Sequence, residues 1–357
     1  MNKSKCILLG VSILFTSSIT SSALAATKED PAKWIQQMRS LEHTLVDAYP
    51  YFFTESAFRE AKNKAIVERH LKELRTSIHD LPVKAGEGLL GAEPLIRGSR
   101  ARMELLLDRS IKSYSEKDFA TSQSSVQSAI YQCVACHTAQ GRGKRSTKVN
   151  DEMFRIFTPT LQKVTSLIAI RQFEGALKAL EFAIQGKMKY QDPVDQMALL
   201  PKVHLLLSLR ALDDEKRALK MLTLLQTKGA KGVSDATKKN AAQWMSDILQ
   251  WRQFLGKQPA EKSSAEKLTW LHEKTSRAGF DGDEGFVFLL LKSSVLHGAL
   301  VTDLQPESFA KSYEDLAETY QKLGLPFLKE LTNLYLDSCA KLPATEAGKR
   351  CLTKLTQ

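Results

Sequence analysis

Three residues able to do chemistry sit together in the stretch "YQCVACHTAQ": Cys133, Cys136 and His137. Their order, C-x-x-C-H, spaces two thiols so that each can add to one vinyl group of a single rigid porphyrin. The adjacent imidazole can then reach the iron at its centre. This is the sequence at which haem is attached covalently in c-type cytochromes. Rival chemistries lack their other parts. A structural zinc site needs about four ligands, and the chain holds neither a second C-x-x-C nor an H-x-x-H. A redox dithiol of the thioredoxin kind needs a βαβ setting, and no strand pattern precedes the motif. The sequence therefore predicts one covalent haem c, bound by Cys133 and Cys136, with His137 as an iron ligand.

A helix must present these groups. Val126, Ile130, Cys133 and His137 follow one another at +4, +3 and +4, which places them on one helical face. Nearly the whole chain reads as helix, without sustained period-2 alternation, so an all-α fold is expected. Four helices are predicted up to the motif. The first begins at Asp30-Pro31 and ends at Pro50, with Trp34, Ile35, Met38, Leu41 and Leu45 inward. The second spans about Glu55 to Asp80, the third about Pro94 to Tyr114, and the fourth about Lys117 to Gln140. Mostly short links favour an antiparallel four-helix bundle.

The chain's beginning predicts export. Lys3 and Lys5 precede a short apolar run, Cys6 to Phe15, and Ala23-Leu24-Ala25 has the form of a cleavage site, so residues 1–25 read as a signal peptide. No later stretch is apolar enough to span a membrane; the nearest, Phe286 to Val301, contains Lys292 and His297. The expected location is the periplasm, where thiols oxidise. Of five cysteines, Cys6 leaves with the signal and two belong to the motif. Cys339 and Cys351 remain, on two helical pieces broken by Pro343 and Gly348, and are expected to form a disulfide. The formal charge of +11 comes without a nucleic-acid motif, which excludes no solubility role but favours an acidic redox partner over nucleic acid.

The motif's position narrows the type of cytochrome. About 105 residues separate the cleavage site from it, and it closes a fourth helix. Over Pro31 to Arg145 the chain resembles the class II c-type cytochromes, the cytochrome c-prime group, whose haem hangs from C-x-x-C-H near the end of the fourth helix. The resemblance implies that Met38, on the first helix, is the second iron ligand, with His79 and Met103 in reserve. Arg97 and Arg100, in the first turns of the third helix, are candidates to pair with the haem propionates. A competing arrangement starts a class I domain near Tyr131 and takes Met153 or Met188 as second ligand.

After "GRGKRSTKVN" the chain changes character. Ala176-Leu177-Lys178 returns 42 residues later as Ala218-Leu219-Lys220. Each copy is a helix, a short polar turn and a second helix. This resembles a tetratricopeptide-like hairpin, although the usual period is about 34 residues. The expected organisation is a signal peptide (1–25), a four-helix cytochrome domain (26–145) and a helical, solenoid-like domain (146–357). The expected function is electron transfer by an exported monohaem cytochrome whose C-terminal half docks partners. The alternative is a five-coordinate haem that binds NO or CO, or senses redox state. No acid–base constellation stands out, so no enzyme is expected; the oligomeric state stays open.

Overall fold

The computed structural model describes residues 31–81, 94–140, 159–187, 194–227, 230, 233–256, 259–277, 280, 282–302 and 305–356. Among them every regular element is helical and none is a strand. The expected signal peptide (1–25), the expected linker at 141–150, Met153 and Met188 lie outside the described residues.

The first five helices are α1 (Pro31–Phe52), α2 (Glu55–Arg59), α3 (Lys64–His79), α4 (Pro94–Ser115) and α5 (Phe119–Gln140). Two boundaries differ from expectation. Helix α1 continues past Pro50 to Phe52. Proline near a helix end removes one hydrogen bond, and burial of Tyr49, Phe52 and Phe53 outweighs that loss. The predicted second helix breaks in two. Glu60 is extended (φ −69°, ψ 126°), and the Asn63 amide donates to the Ala57 carbonyl at 2.9 Å, so a single 3₁₀ turn replaces the continuous helix.

Consecutive long helices pack on one another, α1 on α3, α3 on α4, and α4 on α5. Hydrogen bonds fix which ends meet. The Gln37 amide donates to the Asp80 carbonyl at 2.7 Å, and Arg100 Nη2 to the His79 carbonyl at 2.5 Å. At the other end Gln123 and Gln127 both donate to the Phe52 carbonyl at 3.0 Å, and the Tyr114 hydroxyl donates to the Phe58 carbonyl at 3.2 Å. Helices α4 and α5 approach closely because serines face each other: Ser110 Oγ donates to the Ser122 carbonyl at 2.9 Å, and Ser122 Oγ to the Ser110 carbonyl at 2.8 Å. The start of α1, the end of α3, the start of α4 and the end of α5 thus lie at one end.

The second half continues as α6 (Thr160–Ala169), α7 (Phe173–Ile184), the short α8 (Val194–Met197), α9 (Leu199–Leu205), α10 (Glu215–Leu225), α11 (Asp235–Leu255), α12 (Ser264–Thr275), α13 (Phe286–Thr302), α14 (Pro306–Leu323), α15 (Lys329–Ala340) and α16 (Glu346–Leu355). Helix α9 runs directly into a π-helix, Leu206–Ala211. The 42-residue spacing recurs in the backbone. Arg171 (φ 59°) turns α6 into α7, and Asp213 (φ 53°) turns the π-helix into α10. Ala176 and Ala218, the matched small residues, are both fully buried. Glu181 ties the two hairpins, accepting from Arg217 Nε at 2.9 Å and lying 3.3 Å from His204 Nε2. Near the C-terminus, Cys339 and Cys351 form a disulfide (Cα–Cα 5.9 Å).

Helix α5 joins the halves. Besides α4, it packs against α6, the π-helix, α13 and the 3₁₀ turn Pro326–Leu328. One continuous apolar core runs from Leu41 on α1 to Cys351 on α16.

Candidate functional site

The motif occupies the last two turns of α5. There Gln132, Cys133, Val134, Ala135, His137, Thr138 and Ala139 are all buried, and Cys136 is half-buried. The helix has only a weak apolar bias to one side because neighbours surround it. Val126, Ile130, Cys133 and His137 are each buried, and the two reactive members meet different helices.

Cys133 faces α4. Its Sγ lies 3.7 Å from Met103 Sδ, and burial pushes the thiol up to about 12, so it stays protonated. His137 faces α6. Its Nδ1 is 3.2 Å from the Ile168 carbonyl oxygen. A carbonyl only accepts, so Nδ1 carries the proton and donates, and the lone pair is on Nε2. Burial, reinforced by the nearby Arg171 guanidinium, lowers the imidazole to about 4. It is therefore neutral, with a free lone pair on Nε2, the form in which histidine binds a metal.

The other anticipated residues sit as follows. Met38 is half-buried on α1 and packs against the shared core; its neighbour Gln37 reaches Asp80, so Met38 lies at the same end as the motif. Arg100 Nε donates to Glu104 Oε1 at 3.1 Å, and its Nη2 to the His79 carbonyl. His79 is largely exposed and lies 3.2 Å from Glu104 Oε1. Arg97 belongs to α4, but its side chain lies outside the described residues. Met103, a reserve in the sequence reading, is the methionine against Cys133. The sequence pointed to neither the Ile168 carbonyl nor Arg171. Both come from beyond the linker, and a main-chain acceptor leaves no side-chain signature.

Among the described residues, no three His, Cys, Asp or Glu side chains gather to hold a metal ion by themselves, and no helix is long and apolar enough to cross a membrane. No family model matches the chain, and neither a curated protein nor a solved structure is found similar to it.

Proposed function

We propose that the protein is an exported, periplasmic monohaem c-type cytochrome that transfers electrons. In this reading α1, α3, α4 and α5 form the antiparallel four-helix bundle of a class II cytochrome, and the later hairpins form a solenoid-like surface for partners. The observation that carries it is the state of His137. Ligating histidines almost always donate their other ring N–H to a carbonyl or carboxylate, which fixes the tautomer and ring orientation. His137 does this through Ile168, while two cysteines stand at thioether spacing on the same helix end. The donor set thus fits a covalently held haem.

Cys133 and Cys136 would hold the macrocycle and His137 its iron; haem supplies a one-electron couple. The chain's own residues do the rest. The Ile168 carbonyl keeps the imidazole oriented and its Nε2 deprotonated. Met103 Sδ lies 3.7 Å from Cys133 Sγ, so Met103 would pack against the sulfur that holds the haem and is the weaker candidate for an iron ligand. Met38 is left as the second ligand the class II resemblance implies. With Met38 as a ligand the haem would supply a one-electron couple of higher potential; without that ligand it could bind NO or CO. The basic charge of +11 steers an acidic partner by long-range attraction.

The test uses protein expressed with a c-type haem maturation system. Haem absorbance should stay with the polypeptide on a denaturing gel, and be lost in Cys133→Ser/Cys136→Ser. Haem that separates on denaturation, or none bound, overturns the proposal. Met38→Ala should convert a low-spin visible spectrum to a high-spin, CO-responsive one; an unchanged spectrum removes Met38 from the site.

A further inference from the structure

Arg210 lies in the π-helix Leu206–Ala211 and is only 6% exposed. Its Nη2 donates to the Tyr320 hydroxyl, and its guanidinium lies over the Tyr320 ring, 5.4 Å from the centroid. Tyr320 is in turn 2.8 Å from His297 Nε2. Nε and Nη1 of Arg210, with three N–H groups between them, have no acceptor among the described residues. Among the described residues no carboxylate lies within ion-pair distance of it. Two other buried cations do have one nearby: Lys202 pairs with Asp283, and Lys292 is attracted by Asp315 and Glu318.

A buried guanidinium without a counter-charge is among the costlier arrangements a core can hold. A hydroxyl and a ring face offset only part of that cost. π-helical segments are uncommon and recur at functional sites, and this one also packs against α5, the helix of the motif. Arg210 itself stands one 42-residue repeat after Ile168, whose carbonyl holds His137.

We propose that Arg210, with Tyr320 and His297 around it, is the anchor of a buried site for a monoanionic carboxylate. One fixed cation balances one negative charge. A phosphate dianion would leave a net charge buried, so carboxylate is the matching class. Two sources carry that group: a free small carboxylic acid, or a propionate of the haem proposed on α5. Only the second source rests on the haem reading.

The experiment is a thermal-shift titration of the full-length mature protein with sodium acetate and propionate, at constant ionic strength set with chloride. It is run on wild type, Arg210→Met, Tyr320→Phe and, where haem is attached, Cys133→Ser/Cys136→Ser. A carboxylate about a hundredfold above its Kd should raise Tm by about 5 °C. The rise should vanish in Arg210→Met and weaken in Tyr320→Phe, which keeps the ring. Response in both haem-loaded and haem-free protein identifies a free acid as the occupant; response in haem-free protein alone identifies the propionate. If the chain takes no haem at all, the wild-type titration still decides. No carboxylate-specific rise in any form overturns the site, and an Arg210→Met protein less stable than wild type would then make Arg210 a structural residue only.

Discussion

Asp247 shows at a single position how burial without a full set of partners becomes a pH dependence. It is fully buried on α11. Gln243 Nε2 donates to its Oδ1 at 2.7 Å, and Oδ2 has no partner among the described residues. Burial raises the carboxyl from 3.8 to about 6, against the hydrogen bond from Gln243 and the attraction of Lys274. In the unfolded chain the ordinary value returns. Between about pH 4 and 6 the folded state therefore binds more protons than the unfolded one, and stability falls as pH rises through that window. The full swing is at most about 3 kcal/mol. Urea unfolding of wild type across pH 4 to 7 should show this decline, and Asp247→Asn should flatten it; equal slopes in both proteins would remove Asp247 as the cause. The same scale explains what the sequence could reveal of the candidate site. Cys133, Cys136 and His137 were legible because the proposed covalent attachment would need a fixed spacing along the chain, which the sequence prints directly. The Ile168 carbonyl was not, because tertiary approach alone brings it to the motif; Met103 was named as a reserve ligand, but its contact with Cys133 had no sequence signal.

At the level of elements, helices were legible wherever burial follows the helical period. The predicted third and fourth helices, about Pro94 to Tyr114 and about Lys117 to Gln140, match α4 and α5 closely. Errors came where a local polar bond or a tertiary contact competes with that pattern. Asn63 breaks the second predicted helix by bonding Ala57, and packed aromatics carry α1 through Pro50. The π-helix at 206–211 had no signal, since its residues are as leucine-rich as an ordinary helix. The Cys339–Cys351 disulfide, expected from the cysteines left over, joins α15 to α16. The turn between them is tight: a Cβ on Gly348 would come 2.1 Å from the Leu342 carbonyl oxygen. Closing a loop across 12 residues removes unfolded-state entropy worth about 3 kcal/mol. Cys339→Ala/Cys351→Ala should lower the urea-unfolding free energy by roughly that amount. A loss below about 0.5 kcal/mol would mean the two helices are held by packing alone.

For the whole molecule, the arrangement around α5 decides how the halves depend on each other. A boundary near residue 145 looked natural in the sequence because the linker is polar and basic. In the fold, the helix before that linker is covered from beyond it. Tyr131 meets Phe327 with ring centroids 6.5 Å apart, and His137 is held by Ile168. Gly98 on α4 faces Leu334 on α15 so closely that a Cβ there would overlap it, while Arg102 lies 3.5 Å from Glu330. A fragment ending at 145 would turn the buried side chains at the end of α5 toward water. Apolar surface costs about 25 cal/mol per Å² when exposed, a large loss for a domain whose net stability is only about 5–15 kcal/mol. The intact chain should therefore unfold in one transition, with near-ultraviolet and far-ultraviolet circular dichroism changing together. The 26–145 fragment should bind an apolar-surface dye and melt without a sharp transition, even with haem attached. A fragment that melts as sharply and at the same temperature as the full chain would show that α5 needs nothing from the second half.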